Sequence, residues 1–270
     1  MCRYESINGD AGNWVRDKIS KDEVPHFILD ENERCPFLNE SGLCDMILRL
    51  GEDALCNICA DHPRFRNFYS SFTEMGIGMC CEEAARVIIN SKESFSLEVF
   101  EGNENIEIDE EERFYLGLRE QIFDILSEQN VSILKRFERL SEKFSFKFSD
   151  FSLYELCEKY ISLERLCGEW GDILEKAKNH TFDLKIFEEE KFQKLFENLA
   201  CYFVFRHFCN AMWDGEVKAR VKFILAGCFM IGALCSALGE DIKEIARMYS
   251  SEIEYSEENT AELINCFKED

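Results

Sequence analysis

Five cysteines in a polar, turn-rich stretch are the residues whose type and spacing best suit chemistry: Cys35, Cys44, Cys56, Cys59 and Cys81, in the order C-x8-C-x11-C-x2-C-x21-C. Two residues between Cys56 and Cys59 let both thiolates face one ion or cluster, although a C-x2-C pair also serves redox motifs. Cys35 and Cys44 strengthen the metal reading. Each lies beside turn chemistry, Cys35-Pro36 on one side and Gly42-Leu43-Cys44 on the other. Thiolates select soft metals, so zinc and an iron–sulfur cluster are the two candidates, and spacing alone does not separate them. Cys80 adds a thiol next to Cys81. Seven later cysteines (Cys157, Cys167, Cys201, Cys209, Cys228, Cys235 and Cys266) lie on apolar helical stretches and read as core filler, because a free cysteine packs as a small hydrophobe. His62 sits inside the cysteine region, and imidazole is the side chain suited to take up a proton at physiological pH, so it is the candidate general base. His26, His180 and His207 carry no constellation in the sequence.

The elements that must hold these residues are mostly helical. Phe72 to Met79 reads as a short extended segment before Cys81, and Glu82 to Asn90 as a helix whose start would stabilise a thiolate placed there. Ser94 to Val99 alternates and suggests a short strand. Asp109-Glu110-Glu111-Glu112 ahead of Phe114 fits a helix N-terminus. From residue 110 onward, apolar residues recur at three- and four-residue steps, with breaks near Asn130, Ser149-Asp150, Asn179, Asp214-Gly215 and Gly239. The expected fold is therefore mainly α. A cysteine-cluster region with turns and little strand spans 1–104 (motif 34–90), and a bundle of about six or seven helices spans 105–270. Phe223 to Leu238 is nearly all apolar over sixteen residues. A membrane span needs roughly twenty, so this segment is expected to be the buried central helix of the bundle.

Fourteen cysteines in 270 residues raise the question of disulfides. The opening Met1-Cys2-Arg3-Tyr4-Glu5 has no secretory character, and a chain of this size needs no covalent staples. The expectation is reduced thiols in the cytoplasm. Fifty-four acidic against thirty-one basic residues leave a net charge of −23. Phosphate backbones and anionic lipid would repel such a surface, which excludes nucleic acid as the default partner. No strand leads into a G-x-G-x-x-G turn followed by an acid, and Gly76-Ile77-Gly78 is a lone G-x-G.

Arg34-Cys35-Pro36-Phe37-Leu38, then Leu43-Cys44, then Leu50-Gly51-Glu52 followed by Cys56, then Cys59-Ala60-Asp61-His62-Pro63-Arg64, then Cys81-Glu82-Glu83-Ala84-Ala85-Arg86 form an ordered set of blocks. The set resembles the flagellin lysine-N-methylase family, which is related to the zinc- or iron-chelating cysteine-cluster proteins. Three positions depart from the family pattern. His62 stands where the family has tyrosine, Glu82 stands where it has proline, and the family's upstream Cys-Cys block with Gly-Trp has no counterpart here. The expectation is a truncated member, one numbered from a misassigned methionine, or a diverged one.

The resemblance implies S-adenosylmethionine-dependent methylation of flagellin lysines, with an iron–sulfur cluster, of the [4Fe–4S] type, on Cys35, Cys44, Cys56, Cys59 and Cys81. Five thiols exceed the four that one such cluster uses. Arg64 and Arg86 are candidates for offsetting thiolate charge or for surface pairs with Glu52 or Glu83. Coordination chemistry offers one route to binding the methyl donor without a nucleotide signature, through its amino and carboxylate groups on an open iron. The competing reading is a non-catalytic module in which a zinc or iron knot rigidifies a helical interaction domain. A protein that accepts or delivers metal is a third.

Overall fold

Asp109 shows how this sequence starts its helices. Its side chain accepts a hydrogen bond from the Glu112 N–H at 2.8 Å, satisfying an end donor that the helix itself leaves unpaired. Ser132, Ser152 and Asp241 do the same for later helices. The computed structural model describes residues 4, 9–31, 34–101 and 107–269. They divide into two compact units, Met1–His62 and Pro63–Asp270. The boundary expected at 104/105 lies outside the described residues, as does Cys2.

The first unit holds α1 (Gly9–Arg16), α2 (Asp45–Leu50) and α3 (Asn57–Asp61), joined by turns and by two isolated bridges, Ile19 with Phe27 and Leu38 with Cys44. Its core is small. Among the described residues, Tyr4, Val15, Phe37 and Met46 are its buried side chains. The Phe37 ring meets Trp14 and Phe27 edge-on at 5.1 and 5.0 Å, a favoured arrangement for aromatic quadrupoles.

The second unit opens with a hairpin of β1 (Arg64–Phe68) and β2 (Thr73–Ile77), antiparallel, in a register from Arg64↔Ile77 to Phe68↔Thr73. Helix α4 (Glu82–Asn90) follows, as the sequence predicts. Then come α5 (Glu110–Leu126), α6 (Ile133–Lys143), α7 (Leu153–Ile161), α8 (Gly168–Ala177), α9 (Glu190–His207), the short α10 (Ala211–Asp214), α11 (Val217–Leu238), α12 (Ile242–Tyr249), a π-helical turn Ser250–Glu254, and α13 (Glu257–Glu269). The fold is mainly α, as expected. Ser94 to Val99 forms no strand. Phe95 instead stacks on Phe123 at 4.6 Å, and Asn198 holds the preceding chain by donating to the Ile89 and Ser91 carbonyls.

Helix α11 is the axis of this unit, packed by α8, α9, α12 and α13. Within its 22 residues an 18-residue window has a mean hydropathy of 2.1, enough by length and composition to cross a membrane, but 78% of that window is buried inside the fold. Gly239, at φ +70°, ends it in a left-handed turn that a side chain would strain.

Candidate functional site

Four of the five motif cysteines belong to the first unit, and local hydrogen bonds explain their placement. Cys35 opens a tight turn in which Leu38 N–H donates to its carbonyl at 3.0 Å. The Asn39 side chain accepts from Ser41 and Leu43 N–H and donates to Asp45, folding the loop back so that Cys44 bridges Leu38. Cys44 is the N-cap of α2 and Cys56 the N-cap of α3. The Cys56 sulfur accepts from the Cys59 N–H at 3.5 Å. Cys35, Cys44 and Cys56 are half-buried on the rim of the same small core.

The Cys59 thiol is pushed up to about 12. Partial burial of its sulfur is the main cause, followed by its hydrogen bond to Cys56 and the fields of Cys56, Cys35 and Cys44. The Cys59 sulfur thus feels the other three, and a bound cation would favour its thiolate. Among the described residues, no group of three or more His, Cys, Asp or Glu side chains is arranged to hold a metal ion. The donor chemistry fits a thiolate-bound centre. The arrangement does not, and ligation requires the side chains to turn toward a common point.

Cys56 and Cys59 also line a cavity of about 470 Å³ in the first unit, walled by Ile19, Pro25, Phe27 and Ile58. His26 lies on the same wall. Its Nδ1 is 3.0 Å from Ser20 Oγ and 3.1 Å from the Val24 carbonyl. His26 carried no signal in the sequence, because it lies thirty residues before the C-x2-C pair. His62 stands exposed as the C-cap of α3, outside that lining.

Cys81 belongs to the second unit, where it is the N-cap of α4. Beneath the preceding turn lies a buried charge network that sequence reading missed. Glu254, fully buried, accepts from His207 Nε2 at 2.6 Å and from Tyr202 Oη at 3.1 Å, and Arg206 Nε lies 3.5 Å away. A carboxylate only accepts, so Nε2 carries the histidine proton. Arg206 also donates to Tyr202 Oη at 2.7 Å and to the Glu254 carbonyl. Its guanidinium is sandwiched between the Phe65 and Tyr255 rings at 4.8 and 4.7 Å. The Met79 N–H reaches Tyr202 Oη at 3.3 Å. Burial is the largest influence on both titrating partners. It holds His207 below its ordinary value; for Glu254 it opposes ionisation but is outweighed by Arg206 and His207, so the carboxyl lies low. Partial burial also raises Cys80, which feels Tyr255, Arg206 and Glu254.

The lone G-x-G serves this packing. A Cβ on Gly76 would meet the Phe65 ring at 2.5 Å and the Phe205 ring at 2.8 Å, and one on Gly78 would collide with Tyr255 and Arg206. The hairpin is further fixed by Arg119, which forks onto Glu74 at 2.6 and 2.7 Å. Arg86 makes a surface pair with Glu83. Of the later cysteines, Cys157, Cys201, Cys209, Cys228 and Cys235 are buried as expected. Cys167 is exposed as the N-cap of α8, and Cys266 is half-buried.

A family model described as "FliB lysine N-methylase C-terminal domain" matches residues 64–270. The chain belongs to this family. The match starts one residue beyond the start of the second unit, so the FliB-type domain and the helical unit coincide. The four cysteines of the first unit precede it. The "Flagellar biosynthetic protein FliU" of Salmonella muenchen is 30% identical over 63 residues, 23% of this chain and 37% of that protein. The chain thus spans little more than a third of the length of this curated relative. No solved structure matches.

Proposed function

We propose that this chain is a protein-lysine N-methyltransferase that acts on flagellin in the cytoplasm and takes its methyl group from S-adenosylmethionine. The observation that carries this reading is the FliB-family match across the whole helical unit. The thiols of Cys35, Cys44, Cys56 and Cys59 are the proposed ligands of an iron–sulfur cluster, and the field that Cys35, Cys44 and Cys56 exert on Cys59 supports it.

The chemistry asks little of the chain beyond positioning and one proton transfer. A lysine ammonium has a pKa near 10.4, so it must lose a proton before its lone pair can attack the sulfonium methyl. The new N–C bond forms as the S–C bond breaks, and S-adenosylhomocysteine leaves. A net charge of −23 draws a cationic side chain in. The apolar cavity beside Cys56 and Cys59 suits an aliphatic lysine stem, and His26 on its wall is the proposed proton acceptor. Replacing His26 by Gln is expected to lower kcat about 100-fold, and His62→Tyr to leave it unchanged. The opposite result would assign the proton to His62.

Mass spectrometry of flagellin lysines after incubation with the protein and S-adenosylmethionine tests the activity. Unmodified flagellin under reducing, oxygen-free conditions would refute it. Iron and sulfide analysis of anaerobically purified protein tests the cluster. Cys35→Ser, Cys44→Ser and Cys56→Ser are each expected to lower both contents. A second reading, a non-catalytic knot, is favoured by the small core of the first unit. It predicts colourless protein with one zinc per chain and no methyl transfer.

A further inference from the structure

Ser94 to Phe100 keeps the alternation of a strand but joins no sheet in its own copy. The segment is neither helix, strand nor turn, and its backbone forms no hydrogen bond with any described residue. Phe95 fixes its start, stacked on Phe123 at 4.6 Å and tilted onto Phe205 at 5.7 Å. The residues after it face water: Leu97, Val99 and Phe100 are 47%, 66% and 91% exposed. Branched and aromatic side chains suit a pleated, half-covered surface. Three apolar side chains within four positions make a patch rather than scattered exposure.

The hairpin offers the matching surface. Strands β1 and β2 pair only with each other among the described residues, so each has an outer edge without a strand beside it. The ends of the ladder fix which groups face outward. Gly78 N–H donates to the Pro63 carbonyl, and Tyr69 N–H to the Phe72 carbonyl. Alternation then aims the N–H and C=O of Thr73, Met75 and Ile77 at the outer edge of β2. No described residue takes up these edge groups. The solvent face of the same hairpin carries Arg64 and Arg66 and no acid, in a chain of net charge −23. Residues 93–101 carry Glu93, Glu98 and Glu101 and no base. Both arginines also interact within their own chain, so the open edge and the apolar side chains carry the pairing, and charge selects the partner.

We propose that Ser94–Phe100 of one copy adds as a third strand to the β2 edge of a second copy, in a reciprocal exchange that closes a two-fold dimer. The segment is long enough to span the five residues of β2. A second copy is the partner for two reasons. Held by Phe95 against α5 and α9, the segment leaves its own hairpin unpaired, and its acids oppose the sign of the hairpin's solvent face. Such pairing is independent of methyl transfer.

Analytical ultracentrifugation of the full chain tests this, with thiols kept reduced and about 0.15 M salt to screen the net charge. A reversible monomer–dimer equilibrium is expected at micromolar concentrations. Hydrogen exchange read by mass spectrometry should slow at residues 73–77 and 96–100 as the concentration rises through the dimer range. Met75→Pro removes an outward N–H and no bond to β1. The double variant Glu98→Pro/Val99→Pro removes a donor whichever side of the segment faces the edge. Both are expected to keep the circular dichroism and melting temperature of the wild type while weakening the dimer at least tenfold. A monomer at every concentration up to about 100 μM would overturn the proposal. A dimer that survives both proline variants, or one that leaves exchange at the two segments unchanged, would also overturn it by putting the interface elsewhere. Should a proline variant melt early, the exchange measurement on the wild type decides alone.

Discussion

Glu254 carries its negative charge in the interior, between His207 and Arg206, and both neighbours are buried with it. Removing the charge while keeping the shape leaves the Arg206 cation uncompensated. Glu254→Gln is therefore expected to cost about 3–5 kcal/mol, read as a fall in the urea midpoint. The pH dependence follows from two depressed values. His207 is held neutral in the fold, so acidification through its unfolded value of about 6.5 favours the unfolded chain, which binds the proton more readily. Glu254 is held ionised, so its contribution is present above an unfolded value of about 4.3 and is lost as the pH falls through its lower folded value. Melting temperature should therefore decline from pH 7 to pH 5, and again below pH 4.5. In His207→Gln the first decline should flatten. A flat wild-type profile across both windows would contradict the network's charge assignment. None of this was legible in the sequence, because His207 and Glu254 lie 47 residues apart and the π-helical turn brings them together. Of the five motif cysteines, four fall in the turns and N-caps of the first unit and Cys81 in the second, and their spacing gave no sign of that division. His26 was not legible either, because it shares a wall with Cys56 and Cys59 only after the chain folds back on itself.

At the scale of elements, the hairpin depends on two close approaches of backbone to aromatic rings. Gly76→Ala would drive a methyl group into Phe65 and Phe205, and overpacking of this kind costs typically about 1–3 kcal/mol. The measurement is thermal denaturation, and a melting temperature equal to wild type would show that the rings have room. Helical elements were the most readable part of the sequence. The bounds of α4 follow from its alanine and isoleucine face, and the start of α5 from its run of acids behind Asp109. Strand β1 was not anticipated. Its Arg-Phe-Arg-Asn-Phe sequence places charges on the outer face, and only pairing with β2 reveals the alternation. Ser94 to Val99 misled in the opposite direction. Its alternation is real, but Phe95 finds its partners in helices α5 and α9.

At the scale of the whole molecule, the two units differ in what can hold them together. A body of 62 residues with four buried core side chains among its described residues lies near the lower limit for independent folding, whereas the second unit has an extensive core. Expressed alone, residues 63–270 should melt cooperatively. Residues 1–62 alone should gain regular circular dichroism only when iron or zinc is supplied, since metal ligation then provides the missing folding free energy. A cooperative, metal-free transition in the isolated first unit would argue that its thiols are not needed for structure.

Helix α11 is made by the ribosome before two of the helices that cover it, α12 and α13. A product ending near residue 240 would leave this 22-residue helix, long and apolar enough to cross a membrane, partly uncovered. Frameshifts or stop codons late in the gene should therefore yield insoluble or membrane-associated protein rather than a merely less stable one, and fractionation of cells expressing such truncations would show it in the pellet.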